Sequence, residues 1–307
     1  MMLVSVVTPS YNQAAFLAQA LDSIVEQEGA NVESVVMDGG SNDGSVQILE
    51  HYSSRLAYWQ SQPDGGQTSA LNAGFSKAKG ELMGWQNSDD YYYPGALAAA
   101  AAAAEAHPDV DVFYGDKDYV DESGNFLFTA WAKDPHDFAN MIPWPCVHSE
   151  VLLFRRRTWD EGFRLNEERR HYMDYEFFWD LLLAGKRFLH VPGIRAAFRQ
   201  HPEAKTSRQA EIAQREAFEI YLKVWGRGQL NAVARGKMIE ALRNECINDF
   251  SASRMVQFRR HCDQLVVSVG SGAWTPSLRI RYLLSYFSRS GVRLAMRVVN
   301  LCRSRVF

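Results

Sequence analysis

The sequence predicts an α/β fold with a largely parallel central sheet flanked by helices, followed by a mostly helical C-terminal segment. The chain has 307 residues, of which 47% are hydrophobic and 22% charged, so it can form a sizeable core and has the composition of a globular protein. Strand-like apolar runs alternate with helical segments of about 10 to 15 residues until about residue 208. The pattern beyond that point is helical without further alternation. We therefore divide the chain into residues 1–208 and 209–307.

The first element is a strand over residues 3–8, with the apolar sequence LVSVVT. The segment that follows it has apolar residues at helical spacing between Phe16 and Val25. The predicted order continues with a strand over 32–38, a helix over 45–51, a strand over 56–59, a helix over 67–78 and a strand over 81–85. The Ala-rich stretch 96–106 predicts a packing helix, because Ala has the highest helix propensity. Farther on, the pattern predicts a helix over 174–184 that ends at Gly185 and a strand over 187–191 that ends before Pro192.

Polar loops follow three of these strands. They contain Ser10, Tyr11 and Asn12 after the first strand, residues 38–43 after the second and residues 87–90 after the fourth. An open parallel sheet binds ligands at the carboxyl ends of its strands. We therefore expect the three loops to open at one edge of the sheet and to form a single site.

The cysteines and the apolar runs of the sequence predict the cellular compartment of the protein. The four cysteines are far apart and form no Cys-x-x-Cys pair, which indicates neither a zinc site nor a disulfide framework and favours a reducing compartment. The first apolar run is too short for a signal peptide, and no stretch approaches the roughly 18 to 20 apolar residues of a spanning helix. We expect a cytoplasmic protein, with peripheral attachment to the inner face of the plasma membrane as one form of that location. Nothing points to nucleic acid as a partner.

Two adjacent acids, Asp89 and Asp90, lie in the turn WQNSDDYYYP. Neighbouring carboxylates repel one another, and a divalent cation such as Mn²⁺ or Mg²⁺ relieves the repulsion while binding substrate phosphates. A solvated turn or a helix cap before Pro94 is the alternative. Asp38, in MDGGSNDGS, has the residues of an ordinary turn around it. Those glycines do not match the dinucleotide fingerprint, and no P-loop follows the first strand, so we expect a phosphate site built on a metal.

The motifs are more specific together than singly. Five motifs follow one another over roughly residues 2 to 207. They are VSVVTPSYNQ, VVMDGGSNDGS, PDGGQTSALNAGFSKAKGELMGWQNSDDYYYPGAL, HYMDYEFFWDLLLAGK and FRQH. This order closely resembles the family 2 glycosyltransferases with the GT-A fold. The resemblance implies an inverting enzyme that transfers a sugar from a nucleotide diphosphate donor, usually a UDP-sugar, to a hydroxyl acceptor. It also implies a role in surface polysaccharide or lipid-linked glycan synthesis.

The resemblance assigns donor-binding residues. It implies that the base pocket is formed by Thr8, Pro9, Tyr11 and Asp38, and that Gly66, Gln67 and Asn72 pass beside the donor. A helix start and a buried amide are the alternative interpretations of Gln67 and Asn72. The D-x-D signature of the family matches Asn87, Ser88 and Asp89, with Asn87 in place of the first acid. Either Asp89 or Asp90 is then the direct metal ligand.

Asp174 matches the general base of the family, although Met173 stands where many relatives have Glu. Capping of a helix N-terminus is the alternative role for this Asp. Arg199, His201 and Lys205 match the region that closes over the diphosphate, with surface solubility as the alternative. Trp144 and His148 are candidates for contact with the acceptor, from their position alone.

Three other protein classes are rivals at this stage: a nucleotidyltransferase, which would need a Gly- and Arg/Lys-rich loop after the first strand, a nicotinamide-dependent oxidoreductase, which would need the missing glycine fingerprint, and a non-catalytic nucleotide-binding or scaffold protein. The C-terminal tail has a separate prediction. From Gln264 onward the chain has no Asp or Glu but seven arginines. Arg289, Arg293 and Arg297 share one helical face, opposite an apolar face, which predicts binding to an anionic membrane surface. Packing on the catalytic domain, against acids such as Glu211 or Glu216, is the alternative.

Overall fold

A computed structural model describes residues 1–203, 210–251 and 254–284 of the chain. The contact pattern divides the chain into two compact units, Met1–Ala213 and Gln214–Phe307. Lys205 and the arginines at positions 289, 293 and 297 lie outside the described residues, so the predictions that involve them stay predictions. The same is true of the predicted boundary at residue 208.

The first unit contains one sheet with helices packed against it. Its strands are β1 Leu3–Ser10, β2 Asn31–Asp38, β3 Tyr58–Ser61, β4 Leu82–Trp85, β5 Tyr91–Tyr92, β6 Val112–Val120, β7 Phe126–Ala130, β8 Leu152–Arg155 and β9 Phe188–Arg199. Its helices are α1 Ala14–Val25, α2 Ser45–Tyr52, α3 Gln67–Lys77, α4 Ala96–Ala106, α5 Arg156–Asp160 and α6 Met173–Leu183. A 3₁₀ turn, Ser149–Val151, precedes β8.

The strand order is β3-β2-β1-β4-β8-β6-β9-β5, with β7 paired to β6. The first four strands are parallel, and β6 is parallel to β9, whereas β8, β7 and β5 pair antiparallel with their neighbours. The predicted α/β fold is confirmed, and the sheet is parallel at one side and mixed at the other. The parallel side is the part that the alternating apolar pattern predicted.

Apolar residues cover both faces of the sheet. Val4 and Val6 of β1 are fully buried in a core cluster with helix α4, and Val36 of β2 is buried in a second cluster with α1 and α2. Helix α3 approaches β1 closely at Gly74, where a Cβ atom would lie 2.3 Å from Val7 Cγ1. This packing fixes the start of α3, and therefore the loop before it, against the carboxyl end of β1.

Strand β9 is longer than the sequence predicted. It runs through Pro192 to Arg199, because the β6–β9 register shifts between Tyr114 and Asp116 and the extra β9 residues form a bulge. A bulge leaves residues outside the ladder, so the missing N–H of Pro192 breaks no ladder hydrogen bond. Gly115 lies opposite the bulge, where a Cβ atom would be 1.8 Å from the carbonyl oxygen of Ile194. The prediction that this strand ends before Pro192 was therefore wrong.

The helices of the C-terminal part are α7 Ala210–Gly226, α8 Ala232–Ser251, α9 Met255–Val269 and α10 Pro276–Leu284. They confirm the mostly helical character predicted for this segment. Within the second unit, Asp249 accepts a hydrogen bond from Arg254 Nε at 2.8 Å, and Phe218 stacks on His261 with a centroid distance of 3.9 Å. Among the described residues, no helix combines the length and the apolar character needed to cross a membrane.

Candidate active site

A cavity of about 740 Å³ opens in the first unit at the carboxyl ends of β1, β2 and β4. Its lining comes from the loops after these strands, from the start of α3, and from two later segments, Ser149 with Glu150 and residues 167–174. The volume is in the range of small-molecule sites. We call the part formed by the strand ends and α3 the strand wall, and the part formed by residues 149–150 and 167–174 the distal wall.

The loop after β1 forms one edge of the strand wall. Pro9 and Tyr11 line the cavity, and the Tyr11 side chain is 63% exposed, so its ring face is open to a ligand. Asn12 has a φ angle of 53°, and its backbone N–H donates to Ser41 Oγ at 2.8 Å. The Asn12 side chain in turn accepts from the backbone N–H of Asn42 at 3.0 Å. The loops after β1 and β2 are therefore fixed to each other.

Asp38 shapes this wall from behind. It is 1% exposed and is not among the described lining residues. Its carboxylate accepts from the backbone N–H groups of Gly40 and Ser41, at 3.1 and 2.9 Å, and from the hydroxyls of Ser41 and Ser61, at 2.5 and 2.6 Å. All of its observed contacts hold the loop, and its predicted contact with a base stays a prediction.

Asp64 is the acid that faces the cavity at this edge, and the sequence reasoning missed it. It lines the cavity and accepts from the backbone N–H of Gly66 at 2.7 Å. A Cβ atom on Gly39 would lie within 3.4 Å of both Asp64 and Tyr11, so the two side chains flank the same point. The only sequence signal was its position in the turn PDGG directly before a helix start.

Of the other residues predicted to bind the nucleotide-sugar donor, some line the cavity and others lie behind its lining. Gly66 and Gln67 line it, and Gly66 has a φ angle of 98° directly before α3. Thr8 is fully buried, and its hydroxyl has no hydrogen-bond partner in the described part of the chain. Asn72 donates to the carbonyl oxygen of Leu165 at 2.9 Å and accepts from its backbone N–H at 3.2 Å. Asn72 also donates to Glu167 Oε1 at 3.0 Å and thus ties α3 to the distal wall, but it is not among the described lining residues.

The turn after β4 places Asn87 and Asp89 on the cavity. Asn87 accepts from Gln67 Nε2 at 2.9 Å and donates to Asp90 Oδ2, also at 2.9 Å. Asp90 is 1% exposed, and its other carboxylate oxygen accepts from the backbone N–H of Arg199 at 2.8 Å. Burial raises the pKa of Asp90 well above its usual range, and the charges of Asp89 and Glu150 add to this effect. Both Asp90 oxygens are engaged inside the protein, which makes Asp90 an anchor of the turn.

Asp89 is better placed than Asp90 to bind a metal. Its Oδ2 lies 3.0 Å from His201 Nε2, and the structure gives Oδ1 no partner among the described residues. The His201 side chain is only 2% exposed and is not among the described lining residues, so it holds Asp89 from behind the wall. The remaining oxygen of Asp89, on the cavity, fits Mn²⁺ or Mg²⁺, which take few protein ligands and complete their shell with water and phosphate. The described residues contain no cluster of three or more His, Cys, Asp or Glu side chains that would hold a metal alone. A bound substrate would have to supply the remaining ligands.

Arg199 supports the turn that carries Asp89 from behind. It is 3% exposed, and its guanidinium donates to the carbonyl oxygens of Asp89 and Glu122, at 2.9 and 2.7 Å, and to Gln19 Oε1 at 2.6 Å. Its guanidinium carbon also lies 4.8 Å from the ring centroid of Phe16. These contacts occupy all three nitrogens of the guanidinium. The structure therefore places Arg199 as a clamp on the turn, and its predicted contact with a diphosphate stays a prediction.

The distal wall contains Asp174, in the first turn of α6. Asp174 Oδ1 accepts from the backbone N–H of Tyr175 at 2.7 Å. The preceding loop is held by Glu176, which accepts from Arg169 Nε at 2.6 Å and from Asn166 Nδ2 at 3.1 Å. This loop brings Arg169 and its two neighbours, Arg170 and His171, to the cavity lining.

Ser149 and Glu150 are further lining residues that the sequence reasoning missed. They precede β8, an antiparallel strand that no alternating pattern had indicated. Of the two predicted acceptor residues nearby, Trp144 is 58% exposed, and its ring centroid lies 6.2 Å from that of Tyr172. His148 is not among the described lining residues. Burial lowers the pKa of His148 to about 4, and the charge of Lys117 adds to the lowering.

Comparison with known proteins places this geometry in a family. The model of glycosyl transferase family 2 matches residues 5–163. An uncharacterised glycosyltransferase from Rickettsia typhi is 27% identical over 248 residues, which are 77% of this chain and 74% of that protein. Three other rickettsial relatives, at 32% to 34% identity, match 41% of this chain but only about a fifth of their own length.

Solved structures show the same fold. TarS 1–349 of S. aureus in complex with UDP has a TM-score of 0.70 at 20% identity, covering 99% of this chain and 92% of that one. A mannosyltransferase from Pyrobaculum calidifontis in complex with GDP-Man and Mn²⁺ has a TM-score of 0.59 at 18% identity, covering 97% and 86%. The family match extends over more than half of the chain. The protein therefore belongs to glycosyl transferase family 2 and is a glycosyltransferase with a GT-A-like fold.

Proposed function

We propose that this glycosyltransferase transfers a sugar from a UDP-sugar to a hydroxyl acceptor with inversion at the anomeric carbon. The observation that carries the proposal is that one cavity is lined by Tyr11, Asp89 and Asp174. These residues suit a nucleotide base, a diphosphate with its metal, and an acceptor hydroxyl, respectively. A UDP donor is supported by the TarS structures, which contain UDP and UDP-GlcNAc.

The strand wall binds the nucleotide in this proposal. The exposed ring of Tyr11 offers a face for stacking on the base. The carboxylate of Asp64, or that of Asp38 after a change in its loop contacts, accepts the ring N–H of uracil. A base without that N–H would lose this hydrogen bond, and this disfavours the wrong nucleotide.

Asp89 would hold Mn²⁺ or Mg²⁺ through the carboxylate oxygen that does not contact His201, while His201 keeps the other oxygen in place. When bound, the metal would supply positive charge that stabilises a leaving diphosphate. A metal in this role is supported by the Mn²⁺ complex of the Pyrobaculum enzyme. Gln67 and Asn87 keep the turn that carries Asp89 in place through their hydrogen bond.

Asp174 is the general base. Its carboxylate accepts the proton of the acceptor hydroxyl while that oxygen forms a bond to the anomeric carbon. The bond from the anomeric carbon to the phosphate oxygen breaks, and its electron pair leaves with UDP. A single displacement inverts the configuration and needs no covalent intermediate on the enzyme. Base catalysis of this kind contributes about 10² to 10⁴ in rate.

The acceptor in this proposal is a glycan or a lipid-linked glycan, and the pathway is surface polysaccharide or lipid-linked glycan synthesis. The basic C-terminal tail would hold the enzyme on an anionic membrane at the cytoplasmic face. The nucleotidyltransferase and scaffold alternatives have no support from the family match.

The test is a measurement of nucleotide release and ligand stabilisation. UDP with Mn²⁺ should raise the melting temperature, by the equivalent of about 2.7 kcal/mol at a hundredfold excess over Kd. One member of a panel of UDP-sugars should release UDP in a reaction that needs Mn²⁺. A larger stabilisation by GDP than by UDP would contradict the uracil assignment, and absence of turnover with every nucleotide sugar would contradict the transfer reaction.

A further inference from the structure

A buried ion pair lies against the cavity beside the proposed metal site. Lys117 Nζ, from β6, is 3.3 Å from Oε2 of Glu150, and the two side chains are only 8% and 5% exposed. The ammonium group also lies 4.3 Å from the ring centroid of Phe198, which lines the cavity together with Glu150. The mechanism proposed above uses none of these three residues.

The pair is ionised. Burial on its own raises the pKa of the Glu150 carboxyl, but the charge of Lys117, with smaller contributions from His148 and the Glu150 backbone amide, lowers it below its usual value. The same charge interaction raises the pKa of Lys117 against the opposing effect of burial. A negative carboxylate is therefore maintained at a wall of the cavity that water scarcely reaches.

Only one oxygen of this carboxylate has a partner from another residue. Oε2 accepts from Lys117, whereas no other residue in the described ranges donates a hydrogen bond to Oε1, and Oε1 is not one of the buried atoms that lack a partner. By contrast, Asp90 has a partner for each of its oxygens. Oε1 can therefore accept a hydrogen bond from a donor on a ligand in the cavity that Glu150 lines.

The position of Glu150 indicates which part of a ligand supplies the donor. The 3₁₀ turn that carries it packs against β4, β6 and β9, and its charge acts on Asp90. Glu150 therefore lies on the side of the cavity where Asp89 faces the diphosphate. A carboxylate repels phosphate but accepts hydrogen bonds from hydroxyl groups. The group attached directly to the diphosphate of a nucleotide sugar is the sugar, which is rich in hydroxyls.

We infer that Glu150 forms a subsite for the transferred sugar, in which Oε1 accepts a hydrogen bond from one of its hydroxyl groups and the Phe198 ring packs on its apolar face. Lys117 is a positioning residue that fixes the carboxylate. This inference rests on the proposed function, because it presupposes a nucleotide-sugar donor in the cavity.

The test compares binding of UDP with binding of intact UDP-sugars by calorimetry in Mn²⁺. The ligands are UDP, UDP-glucose, UDP-galactose, UDP-GlcNAc and UDP-GalNAc. For the sugar nucleotide that the wild type binds best, Glu150→Gln should weaken binding about tenfold or more, as for a lost hydrogen bond to a charged group. Affinity for UDP should change less than about twofold, since UDP has no sugar to contact Glu150.

Two further variants keep the result interpretable. Lys117→Met combined with Glu150→Gln removes both charges, which avoids an unpaired buried ammonium, and should show the same selective loss with a melting temperature near that of the wild type. Asp249→Asn changes an equally buried carboxylate in the second unit, and should leave both affinities unchanged.

Equal losses for UDP and the UDP-sugar would place Glu150 at the nucleotide or metal and overturn the inference. Unchanged affinity for the sugar nucleotide in both Glu150 variants would also overturn it. A wild-type protein that binds neither UDP nor any UDP-sugar would instead overturn the proposed donor, which is a distinguishable outcome.

Discussion

The two walls of the cavity differ in how they are built. The strand wall consists of loops that directly follow parallel strands, and hydrogen bonds from backbone N–H groups to side chains such as Asn12 and Asp38 fix its shape. The distal wall consists of two separate segments, residues 149–150 and 167–174, held by the Lys117–Glu150 and Arg169–Glu176 ion pairs. In our account the strand wall binds the nucleotide and metal, whereas the distal wall selects the sugar and activates the acceptor. The difference teaches that binding and chemistry can be altered separately.

The largest difference between the effect on turnover and the effect on UDP affinity is expected at Asp174. Asp174→Asn removes the proton acceptor without removing a donor contact, so the turnover rate should fall about 10² to 10⁴-fold. Affinity for UDP with Mn²⁺ should stay within about twofold of the wild type, because the nucleotide contacts only the strand wall. Steady-state kinetics and calorimetry measure the two effects. Asp180→Asn, on the same helix, is the matched control and should retain turnover; a full rate in Asp174→Asn would exclude it as the base.

The residue directly before the distal wall, His148, should make the protein acid-sensitive. His148 has a pKa of about 4 in the folded protein, below its usual value of 6.5, so the unfolded chain binds the extra proton between these pH values. Its contribution to stability is therefore complete above about pH 6.5 and is lost as the pH falls towards 4, by up to about 3 kcal/mol. Urea unfolding from pH 7 to pH 4 checks this for the wild type and His148→Gln. The variant should lose less stability in acid, while substitution of the exposed His107 should not change the profile.

Within the strand wall, substitutions of the adjacent acids Asp89 and Asp90 should differ in their effect on Mn²⁺-dependent UDP binding. Asp89→Asn should weaken Mn²⁺-dependent UDP binding about tenfold, because it removes the charge that faces the diphosphate. Asp90→Asn should have a smaller effect on this affinity, since both Asp90 oxygens are engaged within the protein. Calorimetry with and without Mn²⁺ measures the difference. A greater loss in Asp90→Asn would identify Asp90 as the direct ligand and reverse our assignment.

The smallest effect is expected where the walls meet. Asn72→Ala removes the hydrogen bonds that tie α3 to Leu165 and should destabilise the protein by about 1 kcal/mol. The KM of the acceptor should rise, and the affinity for UDP should not change. Ser76→Ala, one turn later on α3, is the control for general loss of helix stability. Weaker UDP binding in Asn72→Ala would support the predicted contact of Asn72 with the donor.

The sequence predicted the strand wall better than the distal wall, for a physical reason. An alternating pattern marks strand ends directly, so Tyr11 and Asp89 could be placed on one edge of the sheet, whereas Gln67 was assigned through the resemblance to the family. Asp174 was found through its motif. Glu150 could not be found, because its place depends on β8 inserting antiparallel between β4 and β6, a pairing between distant segments. Nothing local in the sequence encodes that neighbour relation.

The sequence also could not show which polar side chains face the cavity. Asp38, Asn72 and Arg199 were predicted at the donor, but each has its hydrogen-bonding groups directed to the protein itself. A motif fixes the residue type, whereas the direction of a side chain depends on partners elsewhere in the chain. The prediction that the strand ends before Pro192 was wrong for a similar reason, since a bulge in β9 accommodates a residue that usually ends a strand.

The most direct test of the account is anomalous X-ray diffraction from crystals of the protein with UDP and Mn²⁺. We expect a single manganese peak about 2.1 Å from a carboxylate oxygen of Asp89, in contact with the diphosphate, and uracil density against the Tyr11 ring. The space between the diphosphate and Asp174 should open towards Glu150. Manganese bound to other residues, or UDP outside the cavity, would contradict the assignment of the strand wall as the donor site.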